Sequence, residues 1–257
     1  MTALVQSARI SGRHIHAFIR QPWFVVMSVV QPAIWLLLFG GLFSDVTRIP
    51  GFTTQSYLDY LVPGVVVMTA LFWCGWSGMA LIEDLDRSII DRYLTTPMHR
   101  SAIIGGLSIY QLATLALQAA IIGGLAIVLG AHLPGGLVGF TLLVGCSLLL
   151  GAAVASFSDA MALVLRQRES VIGINTLMTL PLTFLSAAFL PLELTPDWIQ
   201  TVARYNPVNW AVEAGREALS ATPDWSFVLP RMVALLILAL LSTAWATWNF
   251  RSYQKSI

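Results

Sequence analysis

Six apolar runs dominate this chain, at about 23–43, 61–82, 102–129, 137–157, 170–190 and 229–249. At 1.5 Å per residue, roughly 21 helical residues reach about 31 Å, the thickness of a bilayer's hydrocarbon core. In lipid every backbone N–H and C=O must be satisfied within the protein, so spans of this kind are helices. The expected fold is an all-α membrane protein with six transmembrane helices. Composition agrees, with 57% hydrophobic and 11% charged residues, where a soluble domain carries roughly a quarter charged. The third run is long enough to tilt or to project beyond the bilayer. The first begins at Trp23 and is too long for a signal-peptide core, so no cleavable leader is expected.

Ahead of the first span, Gln6, Arg9, Arg13, His16 and Arg20 recur at spacings of three and four. Leu4, Val5, Ala8, Ile15, Phe18 and Ile19 fall largely on the opposite side. This pattern predicts an N-terminal amphipathic helix over 3–20 lying in the membrane interface. Residues 1–22 are thus read as an interfacial segment and 23–257 as one six-span domain. With both termini cytoplasmic, the inner segments hold Arg9, Arg13, Arg20, Arg87, Arg92, Arg100, Arg166, Arg168, Arg251 and Lys255. The outer ones hold only Arg48, Arg204, Arg216 and Arg231. Basic residues gather on the cytoplasmic side of membrane proteins, which sets this orientation.

Between the fifth and sixth runs, Thr195-Pro196-Asp197 reads as a helix start: an N-cap, a proline in the first turn and an acid favouring the dipole. Asn206-Pro207 then breaks that helix and opens another to about Leu219. Two short outer helices are expected over 195–219, with Trp198, Trp210 and Trp225 near the headgroups.

Several chemistries are excluded or disfavoured. Lys255 is the only lysine and no glycine-rich loop precedes it, so the chain has no phosphate-binding loop of its own. Catalytic, cofactor and metal sites are not expected. The thirteen acids read as lying in loops, at span ends or in the outer helices, which argues against an ion-driven carrier. Glu213 and Glu217 are the exceptions to watch. Gly75-Trp76-Ser77-Gly78 matches a GxSG nucleophile pattern, but no histidine lies inside a span to serve as its base. Small residues at a helix contact explain it more simply. Cys74 and Cys146 sit in apolar runs and read as packing residues. A net charge of +1 gives no reason to expect nucleic acid.

The inner segment 83–100, EDLDRSIIDRYLTTPMHR, has helical periodicity in its first half. Leu85, Ile89, Ile90, Tyr93 and Leu94 can share one side, with Asp84, Arg87 and Asp91 on another. A short helix held between two spans could dock on a soluble partner; a helix resting on lipid fits the same pattern.

Leu61-Val62-Pro63-Gly64, then Asp91-Arg92-Tyr93-Leu94-Thr95-Thr96-Pro97-Met98-His99-Arg100, resemble the permease subunits of type-2 ATP-binding-cassette exporters. The likeness is greatest to daunorubicin-resistance-type drug exporters. Pro191 with Pro196-Asp197-Trp198 adds to it. So does Asn206-Pro207-Val208-Asn209-Trp210, followed by Glu213 and Arg216. One departure is Ser88, where the family often has glycine. The resemblance implies a permease in a bacterial cell membrane that moves a lipophilic drug-like or lipid-like substrate outward. A second permease subunit, identical or related, would pair with it, and two cytoplasmic ATPase subunits would bind ATP and Mg. The 83–100 loop would be the ATPase-coupling helix, through Asp86, Arg87, Ile89, Ile90, Asp91, Arg92, Tyr93 and Leu94. The outer helices would close the exit through Trp198, Asn206, Pro207, Trp210, Glu213 and Arg216. Export of a lipid-linked polysaccharide is the alternative within the family, and an ion-coupled carrier the alternative outside it.

A candidate substrate path follows from polar stripes. Thr176, Thr179, Thr183 and Ser186 are three, four and three apart, with Asn175 beside them and Pro181 bending the helix. Ser28, Gln31 and Trp35 line up in the first span next to Pro32. Facing a subunit interface, these stripes could line the path, with Trp35, Phe72, Trp73 and Trp76 as aromatic surface. Simple helix packing through small and hydroxyl side chains is the competing explanation.

Overall fold

A computed structural model describes residues 7, 11–12, 15–16, 20, 22–43, 56–87 and 101–254. The helices are α1 (Pro22–Leu42), α2 (Tyr57–Gly75), α3 (Ser77–Asp86), α4 (Ser101–Val128), α5 (Gly136–Leu165), α6 (Arg168–Phe184), α7 (Asp197–Ala203), α8 (Pro207–Ala218) and α9 (Trp225–Gln254). A 3-10 turn at Leu192–Leu194 precedes α7, and no strand occurs among the described residues. Among the described residues, four stretches are long and apolar enough to cross a membrane: Tyr57–Asp86, Gly105–Val128, Gly136–Leu165 and Trp225–Phe250. The apolar part of α1, Val26–Leu42, is shorter, and α6 has 17 residues.

Helix α5 is the hub. It packs most heavily on α9 and also touches α2, α3, α4, α6 and α8. Its buried side is lined with small residues, among them Gly139, Ser147, Gly151, Ala153, Ala155, Ser156 and Ala160, which let neighbouring backbones approach closely. One end of the bundle, the Tyr57 end, joins the start of α5 to the end of α8, where Gly135 N–H donates to Leu219 O at 2.7 Å. Rings climb across the same end: Trp35 and Phe39 of α1 each lie within 5.3 Å of Phe189, measured between centroids, and Phe43 within 5.6 Å of Tyr57. At the opposite, Asp86 end, a separate apolar cluster of Leu81, Ile82, Leu107, Leu163, Val171 and Phe250 ties together α3, α4, α5, α6 and α9.

The structure departs from the sequence expectation in four places. The second run is broken: Trp76, at φ −85° and ψ 2°, separates α2 from α3. The fourth continues beyond 157 to Leu165, so Asp159 lies within a helix and not at a span end; it is 0% exposed. The fifth stops short of 190. Pro181 has no N–H to continue the ladder, Leu185 N–H makes the last backbone bond, to Pro181 O, and 185–191 leave the helix. Thr195 does not cap α7; Pro196 stands at the cap, and the Thr195 hydroxyl donates to Leu192 O at 2.7 Å, closing the 3-10 turn. Of the N-terminal helix, helical backbone is described only at residues 7, 11–12 and 15–16, with Ser7 and Ser11 buried; the rest lies outside the described residues.

Candidate functional site: a braced non-helical segment and two cavities

Asn206 shows how residues 185–191 keep a non-helical backbone in an apolar bundle. Its carbonyl oxygen accepts from Val208 N–H at 2.9 Å, capping α8. Its amide nitrogen donates to Leu182 O and Leu185 O, each at 2.7 Å. Three residues on, Asn209 accepts from Ala187 N–H at 2.9 Å. Arg216 donates to Ala187 O at 2.8 Å and Tyr60 O at 3.2 Å, its guanidinium 3.6 Å from the centroid of the Tyr60 ring. From α2, the Tyr60 and Tyr57 hydroxyls donate to Ala187 O and Phe189 O at 2.9 and 3.0 Å. A buried backbone group without a partner is costly where water is absent, and here side chains of α8 and α2 take the place of a helix ladder. Gly64 completes the fit, because a Cβ there would run into the Ala188 carbonyl.

Among the residues expected at the outer gate, Pro207, Trp210, Glu213 and Arg216 therefore belong to one helix, α8, and Asn206 caps it. Glu213 forms a half-buried pair with Arg231 of α9 at 2.7 Å, and Trp210 Nε1–H donates to Arg204 O at 2.7 Å. Trp198 stands apart on α7, 60% exposed. Beyond them, Ser226 donates to Asp224 through its hydroxyl and its N–H, holding that carboxyl below its ordinary range.

The two polar stripes line different cavities. One cavity, about 330 Å³, is walled by α5, α6, α8 and α9 and includes Asn175, Thr179 and Pro207. Thr183 and Ser186 are buried beyond it, and Ser186 Oγ donates to Thr183 O at 2.6 Å. Thr176 is exposed and does not line this cavity. The second, about 240 Å³, lies between α1, α2 and α4 and gathers Ser28, Gln31, Trp35, Phe72, Trp73 and Trp76. The first-span stripe and the expected aromatic surface thus meet, whereas the fifth-run stripe turns into its own bundle.

At the Asp86 end, Asp86 accepts two bonds from Arg168, at 2.6 and 3.1 Å, joining α3 to α6, and Arg87 pairs with Glu83. Ile89, Ile90, Asp91, Arg92, Tyr93 and Leu94 lie outside the described residues. The helix break behind α3 is clasped by Ser158, whose hydroxyl donates to Gly75 O at 2.6 Å and accepts from Gly78 N–H at 3.0 Å. A side chain on Gly78 would collide with that serine. The adjacent Asp159 is wholly buried, and the equally buried Ser77 hydroxyl is its hydrogen-bonding neighbour. His132 is at the far end, its backbone N–H on Asp59, and the GxSG segment itself is a packed helix break. Cys74 and Cys146 are both free and buried.

Sequence reading also passed over Gln111, Thr114 and Gln118. They recur at three and four along α4 and are all at most 5% exposed, and that spacing is the signal that could have found them.

Apolar helices packed around a small-residue hub, with four stretches long and apolar enough to cross a membrane among the described residues, mark a multi-pass membrane protein. Comparison with known proteins makes the class specific. The chain belongs to the ABC-2 type transporter family, whose model matches residues 6–220. It is 29% identical over 251 residues, 95% of this chain and 84% of the relative, to the daunorubicin resistance ABC transporter permease protein DrrB1 of Streptomyces coeruleorubidus. It is 30% identical over 81% of this chain and 71% of the relative to the putative transport permease ycf38 of Cyanophora paradoxa. To the probable doxorubicin resistance permease DrrC of Mycobacterium tuberculosis it is 24% identical over 91% of this chain and 81% of the relative.

Proposed function

We propose that this chain is the membrane-spanning subunit of an ATP-driven exporter of lipophilic, drug-like molecules in a bacterial cell membrane. The observation that carries the reading is the similarity to a drug-resistance permease over 95% of the chain. In this reading α1 and α6 join the four long helices as six spans, both termini and the 83–100 loop face the cytoplasm, and the N-terminal helix lies in the interface. A second permease subunit, identical or related, pairs with it. Two ATPase subunits bind ATP and Mg and dock on 83–100, and α3 carries their motion to the Trp76 break. Aromatic and apolar cavity walls favour a drug-like cargo over a polysaccharide. The test is purification of the tagged chain from its host in mild detergent, with ATP hydrolysis assayed on the same sample. A co-purifying ATPase, lost when Ile89 and Tyr93 are replaced by aspartate, supports the reading. A lone protein without ATPase activity overturns it.

One observation favours a second reading. Asp159 is a carboxyl wholly buried among helices with the Ser77 hydroxyl beside it, where ion-coupled carriers place their working groups. Transport that follows an imposed ion gradient without ATP, and is lost in Asp159→Asn, would select the carrier.

A further inference from the structure

A third cavity, about 440 Å³, lies at the start of α9, at the Tyr57 end of the bundle. The 3-10 turn, α7, α8 and α9 wall it, and its lining carries two acids, Glu193 and Glu213, and two arginines, Arg204 and Arg231. Glu213 and Arg231 already pair with each other at 2.7 Å. Glu193 and Arg204 are exposed, and neither side chain has an ion pair or hydrogen bond among the described residues. Asn209 adds a buried donor. It is 2% exposed and lines the cavity, and its carboxamide oxygen is taken by Ala187 N–H. Its amide nitrogen donates to no described residue and keeps some accessible surface. Gln200 is the complement: its Nε2 donates to Thr195 O at 2.9 Å, and its Oε1 is left to accept. Trp210, held by its bond to Arg204 O at 2.7 Å, completes the wall as a fixed ring.

A lining of this kind specifies a ligand that carries both signs. With two acids against two arginines the cavity has no net charge. An anion or a cation alone would leave one side uncompensated, whereas a zwitterion matches both. Arg204 and Asn209 offer donors to a phosphate; Glu193 and the Gln200 Oε1 offer acceptors to an ammonium, whose three N–H groups need them. A trimethylated amine has no N–H to give, and the one ring of Trp210 is not the aromatic cage such a group favours. The surroundings supply the rest of the ligand. Trp198 on α7, Tyr205 after it and Trp225 at the start of α9 are all exposed, and amphipathic rings gather at the level of lipid headgroups. From the cavity, Pro230 and Ala234 continue along one face of α9 into the exposed Ile237 and Leu241, at spacings of four, three and four. We propose that this cavity binds the headgroup of a phosphatidylethanolamine lipid, phosphate toward Arg204 and Asn209 and amine toward Glu193 and Gln200, with an acyl chain along α9. The proposal goes beyond the exporter reading: it needs neither an ATPase nor a cargo, only a chain that spans a bilayer.

The test is native mass spectrometry of the full chain in detergent, given equal amounts of phosphatidylethanolamine, phosphatidylcholine and phosphatidylglycerol with the same acyl chains. Phosphatidylethanolamine should be retained most. Glu193→Gln should weaken it by about 3- to 10-fold, the range for a charge pair between exposed and buried. It should leave phosphatidylglycerol, which has no amine, unweakened. Arg204→Gln should weaken all three lipids, because the phosphate is common to them. Asp197→Asn removes a neighbouring carboxylate that does not line the cavity and should change nothing. A competition arm separates the lipid from a free zwitterion. Glycerophosphoethanolamine, the headgroup without chains, should fail to displace the lipid at about 100-fold excess, because it lacks the apolar contact with α9. Displacement by it, equal retention of the three lipids, preference for phosphatidylglycerol, or an effect of Glu193→Gln that is equal on all three or matched by Asp197→Asn overturns the proposal. Co-purification of an ATPase is a separate outcome, so the exporter reading and this site can fail independently.

Discussion

Asn206→Ala removes three hydrogen bonds at once, and its cost can be worked from the structure. The side chain is 4% exposed and serves Val208 N–H, Leu182 O and Leu185 O at 2.7–2.9 Å. Loss of an N-cap costs about 1 kcal/mol. Each carbonyl left without a partner in a buried place costs about 1–3 kcal/mol. Because the three bonds share one side chain they do not add fully, and the expected total is about 3–5 kcal/mol. For a chain of this size that corresponds to a thermal midpoint lower by roughly 6–20 °C. Asn206→Ser should recover only the cap, and so fall between alanine and the unaltered protein. Asn206→Asp keeps the cap but aims a second oxygen at two carbonyls, and should be no better than alanine. The assay is the monodisperse fraction surviving a heat series in one detergent, followed by size-exclusion chromatography. A midpoint for Asn206→Ala within about 2 °C of the unaltered chain, or aspartate more stable than alanine, would refute the bracing role.

Other expectations follow from contacts already described. Ser158→Ala leaves Gly75 O and Gly78 N–H unpaired at the helix break and should cost about 1–3 kcal/mol in the same heat series, whereas Ser158→Thr keeps the hydroxyl and should cost less. Gly64→Ala places a methyl against the Ala188 carbonyl; overpacking of this kind costs about 1–3 kcal/mol, and a neutral result would show that 185–191 moves freely away from α2. A double-mutant cycle of Glu213→Gln with Arg231→Gln should give a coupling of at most about 1 kcal/mol, since the pair is partly exposed; a much larger value would mark a desolvated charge pair. The carboxyl of Asp224, held low by Ser226, contributes stability above its unfolded value that is lost as pH falls through its lower folded one. Asp224→Ala should therefore flatten the acid side of the curve of thermal midpoint against pH, and an unchanged curve would contradict a stabilising role for the bonds from Ser226.

The apolar runs were legible because helix length and hydrophobicity are properties of adjacent residues, and every expected span has a helix at its core. Where the helices stop was less legible. The run holding Thr183 and Ser186 is apolar to Leu190, yet the chain leaves the helix after Phe184, because Pro181 weakens the ladder and α8 supplies other partners. Asp159 misled for the opposite reason: Ser158 and Asp159 look like the end of a run, but α5 is held helical past them by packing on α3 and α9. The Asn206, Asn209 and Arg216 spacing was visible in sequence, while its target was not, since backbone carbonyls have no sequence signature. Polar stripes were legible as shared faces; which cavity a face meets depends on how the helix is rotated in the bundle. Whether Ile89 to Leu94 dock on an ATPase depends on a surface that belongs to another chain.

The braced segment also bears on how the protein is made. Residues 185–191 leave the translation machinery before α8 exists, so their carbonyls and the Ala187 N–H then have neither a helix ladder nor Asn206, Asn209 and Arg216 to satisfy them. Lipid offers no substitute. The segment acquires its full set of partners only once Arg216 has been synthesised. The end of α6, the 185–191 segment and α8 are thus completed together, as one unit of folding.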